Sequence, residues 1–319
     1  MHSKMSPVLI VHQGALGDLL LSLPALLSLR RHHAGSPWTL AGHPVNLGLL
    51  GDRLRVRDLH STRSRDWAAL YQEPPCLPEA LVQFLQKFQR VYLFAPRPAG
   101  PVAENIRKAG PAEVLWIASF PDTLAGRSVP AVQQEALKTL GIPWVYPQVY
   151  LISGRADRSA GEVLLKGLGL EAAQGPPLWA IHPGSGSPKK NWPLENFLAL
   201  AGALRQTGRA QVVFILGPVE NEVQPEARSL IRRRGFPILE GIDLPLLAGA
   251  LSRVAGYLGN DSGVTHLASC LDLPTVALYG PTDSRLWGPI GRKTVVLQSD
   301  GAWSSWSVEA VLKECLGML

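Results

Sequence analysis

The chain has 319 residues, 46% of them hydrophobic, and a formal net charge of +6. This length and apolar content suit two domains with hydrophobic cores and exclude an intrinsically disordered chain. The basic residues are scattered and form no zinc-finger or RNA-binding signature, so we expect anionic ligands or an anionic membrane surface, and no nucleic acid, as partners.

Cysteine spacing and the N-terminal segment indicate the cellular compartment of the protein. Cys76, Cys270 and Cys315 are odd in number and far apart, which excludes a disulfide framework or a metal-ligand spacing. The N-terminal residues run directly into a short apolar stretch that fits neither a signal peptide nor a membrane span. We therefore expect a reduced cytoplasmic protein.

The chain opens with a strand, a glycine turn and a helix. Residues 8–11 are apolar, Gly14 and Gly17 lie in the turn before Asp18, and a long apolar segment follows. This order is typical of a doubly wound α/β domain. The turn lacks the full dinucleotide fingerprint and a ribose-binding acid, which argues against a nicotinamide oxidoreductase. Pro24, inside the helical pattern, predicts a kink.

The strand–helix rhythm continues and then restarts, which predicts two domains, residues 1–153 and 154–319. Apolar runs predict strands of the first domain at residues 38–41, 56–59, 91–94 and 114–117. After a turn-rich segment the second domain has predicted strands at residues 179–182, 212–216, 238–239, 255–258, 274–278 and 294–297.

Polar and glycine residues follow two strands of the second domain. Asp261, Ser262, Gly263 and His266 lie where a strand gives way to a helix, and a helix N-terminus attracts anions. In the alternative interpretation, Asp261 or Ser262 only caps the helix and His266 packs.

The other such loop, residues 182–193, places small residues and a lysine between a strand and a helix. Small residues and a lysine at this place are typical of a phosphate site. In the alternative interpretation, the segment is a loose surface loop with solvated lysines.

These loops and the N-terminal turn resemble, in the same order, three motifs of glycosyltransferase family 9, the ADP-heptose:lipopolysaccharide heptosyltransferases. The first motif matches at Gly14, Gly17, Asp18 and Pro24. The second matches at His182, Pro183, Gly184, Ser185, Lys190, Trp192 and Pro193. The third matches at Asp261, Ser262, Gly263, His266, Ala268 and the later Gly280, Pro281 and Thr282.

The resemblance implies a GT-B fold, with two Rossmann-like domains facing across a cleft, the acceptor on the first and the nucleotide sugar on the second. It implies an inverting transfer of heptose from ADP-heptose to a hydroxyl of the anionic lipopolysaccharide inner core, with ADP leaving. The implied general base is Asp18, for which the alternative is an N-cap of the first helix.

The remaining site residues are expected on the same grounds. Gly184, Ser185 and Lys190 face the diphosphate together with Asp261, Ser262, Gly263 and His266.

The ribose is expected to be bound by Glu220 or Glu222, and Glu220 is preferred. In the alternative interpretation, either glutamate only caps a helix. Independently of the resemblance, Arg63 and Arg65, in a predicted loop after a strand end, are the expected contacts to an anionic acceptor; in the alternative interpretation they belong to a solvated charged face. No D-x-D pair is present, so we expect no metal and no cofactor.

Two alternatives stay open from the sequence: a family member that uses another nucleotide sugar, and a nucleotide-sugar-binding protein without catalysis. The donor base, the sugar configuration, the acceptor and the linkage position are also open. We expect a monomer that contacts the cytoplasmic face of the inner membrane peripherally.

Overall fold

The computed structural model describes residues 6–73, 76–96, 100–170, 175–217, 226–300 and 303–318. The chain divides into two compact units, Met1–Pro147 and Gln148–Leu319. The segment after residue 147 belongs to the second unit because the Leu151 N–H donates to the Cys270 carbonyl at 2.9 Å and the Leu151 side chain is buried.

The first unit is a five-stranded parallel sheet with the strand order β3-β2-β1-β4-β5. Its elements are β1 Val8–His12, α1 Leu16–Leu21, α2 Leu23–His32, β2 Trp38–Gly42, α3 Pro44–Leu54, β3 Asp58–Ser61, α4 Arg65–Ala68, α5 Glu79–Leu85, β4 Arg90–Ala95, α6 Pro101–Ala109, β5 Glu113–Ala118 and α7 Val129–Thr139.

The second unit is a six-stranded parallel sheet with the order β8-β7-β6-β9-β10-β11. Its elements are α8 Arg155–Gly167, β6 Leu178–His182, α9 Leu194–Gln206, β7 Gln211–Leu216, α10 Ala227–Arg233, β8 Ile238–Glu240, α11 Leu244–Leu251, β9 Gly256–Asn260, α12 Gly263–Cys270, β10 Thr275–Tyr279, α13 Ser284–Trp287, β11 Thr294–Gln298 and α14 Val308–Gly317.

Both sheets have the doubly wound, Rossmann-like topology that the sequence predicts. The central strands β1, β2, β6, β9 and β10 are buried along their whole length, because helices cover both faces of a parallel sheet. The direction of strand addition reverses between β1 and β4 in the first unit and between β6 and β9 in the second. Sheets of this kind bind ligands at that reversal, beyond the carboxyl ends of the strands.

Two local predictions are resolved by the structure. The kink near Pro24 is confirmed: α1 ends at Leu21 and α2 begins at Leu23, because Pro24 cannot donate the next helical hydrogen bond. The strand predicted at residues 56–59 lies slightly later, at Asp58–Ser61, since Asp58 pairs with Thr39 of β2. This edge strand is mostly exposed, and its apolar pattern is correspondingly weak.

No helix within the described ranges combines the length and the apolar character needed to cross a bilayer.

Candidate functional site

The loops after β6 and β9 meet at the carboxyl edge of the second sheet. The two strands are neighbours, and His182 at the end of β6 is paired in register with Gly259 of β9. The site residues predicted on these two loops are therefore brought together at the point where the strand order reverses. They are Gly184, Ser185, Lys190, Asp261, Ser262, Gly263 and His266.

Ser262 caps α12. Its Oγ accepts the Thr265 N–H at 3.3 Å and lies 3.1 Å from the Thr265 Oγ1, which in turn lies 3.0 Å from the Tyr257 hydroxyl. A Cβ at Gly259 would lie 2.4 Å from that hydroxyl, so only glycine fits there. The N-cap interpretation is therefore correct for Ser262, and its hydroxyl is held at the N-terminus of the helix.

Asp261 does not cap the helix but forms an ion pair with Lys190. The Lys190 Nζ donates to the Asp261 Oδ2 at 2.7 Å, and the Asp261 side chain is 9% exposed while that of Lys190 is 35% exposed. Burial and then the Asp261 carboxylate raise the pKa of Tyr279 well above its ordinary value. The lysine is thus neither a solvated residue nor part of a loose loop.

His266 is buried in the first turn of α12 with one ring nitrogen unused. Its side chain is 4% exposed, and among the described residues Nδ1 has no hydrogen-bond partner. Burial is the main cause that lowers the pKa of His266 to about 4. The Asp261 carboxylate acts to raise this pKa, and the Lys190 ammonium acts to lower it. The ring is therefore neutral at physiological pH and can exchange a hydrogen bond with a ligand, since buried nitrogens are rarely left unpaired.

The loop after β6 is folded on itself. The Ser185 Oγ donates to the Ser187 carbonyl at 2.7 Å and accepts the Ser187 N–H at 3.2 Å, and both Gly184 and Ser185 are buried. Pro188–Lys190 forms a 3₁₀ turn that carries Lys190 toward Asp261. The loop is compact because its polar groups satisfy one another.

Asn260 joins the two loops, and sequence reasoning did not single it out. This last residue of β9 is fully buried; its Nδ2 donates to the Pro183 carbonyl at 2.7 Å and its Oδ1 accepts the Trp192 N–H at 3.0 Å. Asn260 could have been found from the sequence, because it is a polar amide at the end of an otherwise apolar strand and a buried amide needs hydrogen-bond partners.

Asp18 is the third residue of α1 and not its N-cap. Its Oδ2 accepts the Ala15 N–H at 3.0 Å, and Ala15 occupies the N-cap position. A Cβ at Gly14 would lie 2.7 Å from the Asp18 Cβ, so the turn leaves space for this side chain only because the residue is glycine. The carboxylate lies beyond the carboxyl end of β1.

A buried polar network supports this turn. The His12 Nδ1 accepts the Gly14 N–H at 3.3 Å, so its Nε2 carries the proton and donates to the Ser22 Oγ at 3.1 Å. The Ser22 Oγ donates to the Asp18 carbonyl at 2.9 Å and accepts from the Gln133 Nε2 at 2.8 Å. Burial lowers the pKa of His12 to about 4, which keeps its ring neutral.

Arg63 and Arg65 are exposed near the carboxyl end of β3, in the first unit. Arg63 follows the strand, whereas Arg65 is the first residue of α4 and not part of a loop. Burial and the Arg63 guanidinium lower the pKa of His43, which follows β2. Positive charge therefore lies at the same sheet edge as Asp18.

An open, mostly apolar pocket of about 420 Å³ lies where the strand order of the first sheet reverses. Tyr71 donates a hydrogen bond to Gln13 at its wall, and Leu93, Ala95 and Val102 form part of its lining. Ligands of doubly wound sheets bind at this place.

Two other expectations concern the ribose and metal ions. Glu220 and Glu222 lie outside the described residues. Within the described part of the chain, no group of three or more His, Cys, Asp or Glu side chains could hold a metal ion.

Comparison with known proteins identifies relatives of the chain. The family model described as Glycosyltransferase family 9 (heptosyltransferase) matches residues 138–314. Lipopolysaccharide heptosyltransferase 1 of Escherichia coli O18:K1:H7 is 31% identical over 115 residues, which cover 35% of this chain and 34% of the relative. Lipopolysaccharide heptosyltransferase 2 of Salmonella typhimurium is 31% identical over 175 residues, 51% of this chain and 46% of the relative. The matches thus span a third to a half of these relatives.

Solved structures share the fold of the whole chain. A glycosyl transferase family 9 protein from Veillonella parvula is 20% identical with a TM-score of 0.83 and covers 100% of this chain and 98% of its own. The Escherichia coli ADP-heptose lipopolysaccharide heptosyltransferase II is 18% identical with a TM-score of 0.75 and covers 98% of each chain. The two-domain, Rossmann-like GT-B fold is therefore confirmed.

Proposed function

Because the chain belongs to glycosyltransferase family 9, the heptosyltransferase family, we propose that it is an enzyme that transfers heptose from ADP-heptose to a hydroxyl of the lipopolysaccharide inner core. The observation that carries this proposal is the cluster of Lys190, Asp261, Ser262 and His266 at the N-terminus of α12. A cation, a capped helix N-terminus and an unpaired ring nitrogen form a binding site for a diphosphate.

The donor diphosphate binds at this cluster in the second unit. The Lys190 ammonium, paired with Asp261 in the structure, supplies a positive charge to the phosphates, and the first N–H groups of α12 point toward them. Gly184, Ser185 and Gly263 line the approach, and Glu220 or Glu222 binds the ribose. Charge that develops on the departing ADP is stabilised by these groups.

Asp18 of the first unit acts as general base. It accepts the proton of the acceptor hydroxyl while that oxygen attacks the anomeric carbon and the bond from that carbon to the diphosphate breaks. A single displacement of this kind inverts the anomeric configuration. Arg63 and Arg65 contact anionic groups of the acceptor.

The proposed setting is a monomer that works peripherally at the cytoplasmic face of the inner membrane. A net charge of +6 favours attraction to an anionic lipid surface. No metal ion has a part in the proposed chemistry, because the lysine and the helix N-terminus supply the positive charge. Activity that is lost in EDTA and restored by Mg²⁺ or Mn²⁺ would contradict this point.

A thermal-shift screen over ADP-, UDP-, GDP- and CMP-linked sugars, followed by a transfer assay with an isolated core acceptor, tests the proposal. Ligand binding raises the melting temperature in proportion to the logarithm of ligand concentration over Kd. Stabilisation by ADP-heptose together with transfer supports the proposal. Stabilisation by a different nucleotide sugar indicates another donor, and binding without transfer indicates a binding protein.

A further inference from the structure

The loop between β6 and α9 carries three residues of the proposed donor site: Gly184, Ser185 and Lys190. Both ends of this loop are bound by one side chain. Asn260 donates from Nδ2 to the Pro183 carbonyl at 2.7 Å, at the beginning of the loop. It accepts the Trp192 N–H on Oδ1 at 3.0 Å, where the loop ends.

The amide of Asn260 matches both partners at once. One bond needs a donor and the other an acceptor, so the two ends of the amide cannot be exchanged. Asn260 is 0% exposed, and the side chain of Trp192 and the residue Pro183 are also buried. Without this amide, a carbonyl and an N–H would be left buried and unpaired, which is costly in a closed structure.

Further contacts join the same loop to neighbouring elements. The Trp303 Nε1 donates to the Lys189 carbonyl at 3.2 Å, which supports the middle of the loop. Asp261, the residue next to Asn260, holds the Lys190 ammonium. The end of β9 therefore determines where the loop backbone lies, through Asn260, and where its cation lies, through Asp261.

We propose that Asn260 is a positioning residue of the donor site. It holds the backbone at both ends of the loop so that Gly184, Ser185 and Lys190 face the diphosphate of a nucleotide sugar. This role rests on the proposed function and adds to it a residue that contacts the loop and not the reacting atoms.

The test is the affinity for ADP of an Asn260→Leu variant, measured by calorimetry. Leucine has nearly the same size and no charge, so the variant removes both hydrogen bonds without adding an electrostatic effect. We expect the Kd for ADP to rise about 10- to 100-fold, by analogy with the loss of metal affinity when a residue that orients a metal ligand is removed. Circular dichroism establishes that the variant is folded.

Asn105→Leu is the matched control. Asn105 of α6 is also buried, and its Nδ2 donates to the carbonyls of Leu70 and Gln72 at 3.0 and 3.1 Å, all in the first unit. The control loses buried amide bonds of the same kind in the first unit, whereas the proposed donor site is built from residues of the second unit, so its Kd for ADP should equal that of the wild type. An equal loss in both variants would overturn the positioning role.

A double-mutant cycle connects the effect to Lys190. In the Asn260→Leu background, Lys190→Ala should weaken ADP binding much less than it does in the wild type, because the lysine is already misplaced. Additive losses would overturn the mechanism proposed for Asn260.

If Asn260→Leu does not fold, Asn260→Ser replaces it, since serine adds no charge and its short side chain cannot bond the Pro183 carbonyl and the Trp192 N–H at once. Its affinity for ADP is measured in the same way, and weaker binding than in the wild type is again expected. A wild-type protein that binds no ADP would overturn the proposed donor site as well. A wild type that binds ADP, with variants that bind it equally well, would overturn only the role of Asn260.

Discussion

Lys190 and Asp261 are 71 positions apart in the chain, yet the ammonium of one lies 2.7 Å from the carboxylate of the other. The pair stands at the N-terminus of α12 beside the neutral ring of His266. An arriving diphosphate meets a lysine whose position is already determined, so little side-chain entropy is lost on binding.

Lys190→Ala should weaken ADP binding. A charge-assisted hydrogen bond contributes about 1.5–3 kcal/mol, so the Kd should rise roughly 10- to 150-fold. Lys189→Ala is the matched control, because Lys189 is the exposed neighbour in the same 3₁₀ turn and carries the same charge. Isothermal calorimetry with ADP measures both. Equal effects of the two substitutions would indicate a general electrostatic contribution and no specific contact.

Asp18→Asn should abolish most turnover and leave ADP binding unchanged. Asparagine retains an oxygen that can accept the Ala15 N–H, so the turn should keep its shape. Loss of a general base typically lowers kcat about 10²- to 10⁴-fold. The exposed Asp66 of α4 provides the control substitution Asp66→Asn, which should have no effect. Normal turnover by Asp18→Asn would remove Asp18 from the mechanism.

His266→Ala should weaken ADP binding by a factor that does not depend on pH between about 6 and 8. Burial lowers the pKa of His266 to about 4, so the ring is neutral over this whole range and acts as a hydrogen-bonding group, not as a cation. Titrations with ADP at both ends of the range compare the variant with the wild type. A defect that grows toward low pH would show that the imidazolium is the binding form.

The stability of the protein should fall as the pH is lowered below 6.5. The pKa of His12 is about 4 in the folded chain and has its ordinary value of about 6.5 in the unfolded chain, so the unfolded chain binds more protons between these values. The contribution of a neutral His12 is therefore complete above pH 6.5 and is lost progressively toward pH 4.

At about pH 5 this loss amounts to roughly 2 kcal/mol for one such histidine. Denaturant unfolding at about pH 7.5 and about pH 5 should show a smaller pH effect for His12→Gln than for the wild type. The same decrease in both proteins would mean that His12 does not contribute to the pH dependence.

Gly263→Val should prevent the binding of every nucleoside diphosphate without unfolding the chain. Gly263 is the first residue of α12 and its φ angle is not positive, so a side chain there causes no backbone strain. The branched side chain would occupy the space where a phosphate approaches the helix N-terminus. Gly263→Ala should have a smaller effect. Tight ADP binding by a folded Gly263→Val protein would exclude this helix terminus as the site.

The sequence alone determined the fold class and the positions of the loops that form the candidate site. A parallel strand that is covered on both faces has a continuous apolar sequence, as β1 does. The number of strands and their order along the chain could therefore be predicted from the sequence. The polar groups of Asp18, Ser185 and Asp261 follow such runs, and the carboxyl ends of parallel strands meet at one edge of a sheet.

Only the tertiary structure decided which of these groups contact one another. Lys190 reaches Asp261, and Asn260 reaches both ends of the Lys190 loop, because β9 lies beside β6. Likewise, Ser22 meets Gln133, 111 positions away, only when α7 packs against α2. The period of apolar residues indicates which face of a helix or strand is buried. The strand order decides which neighbouring element covers that face. It therefore also decides which groups become the partners of the buried polar side chains.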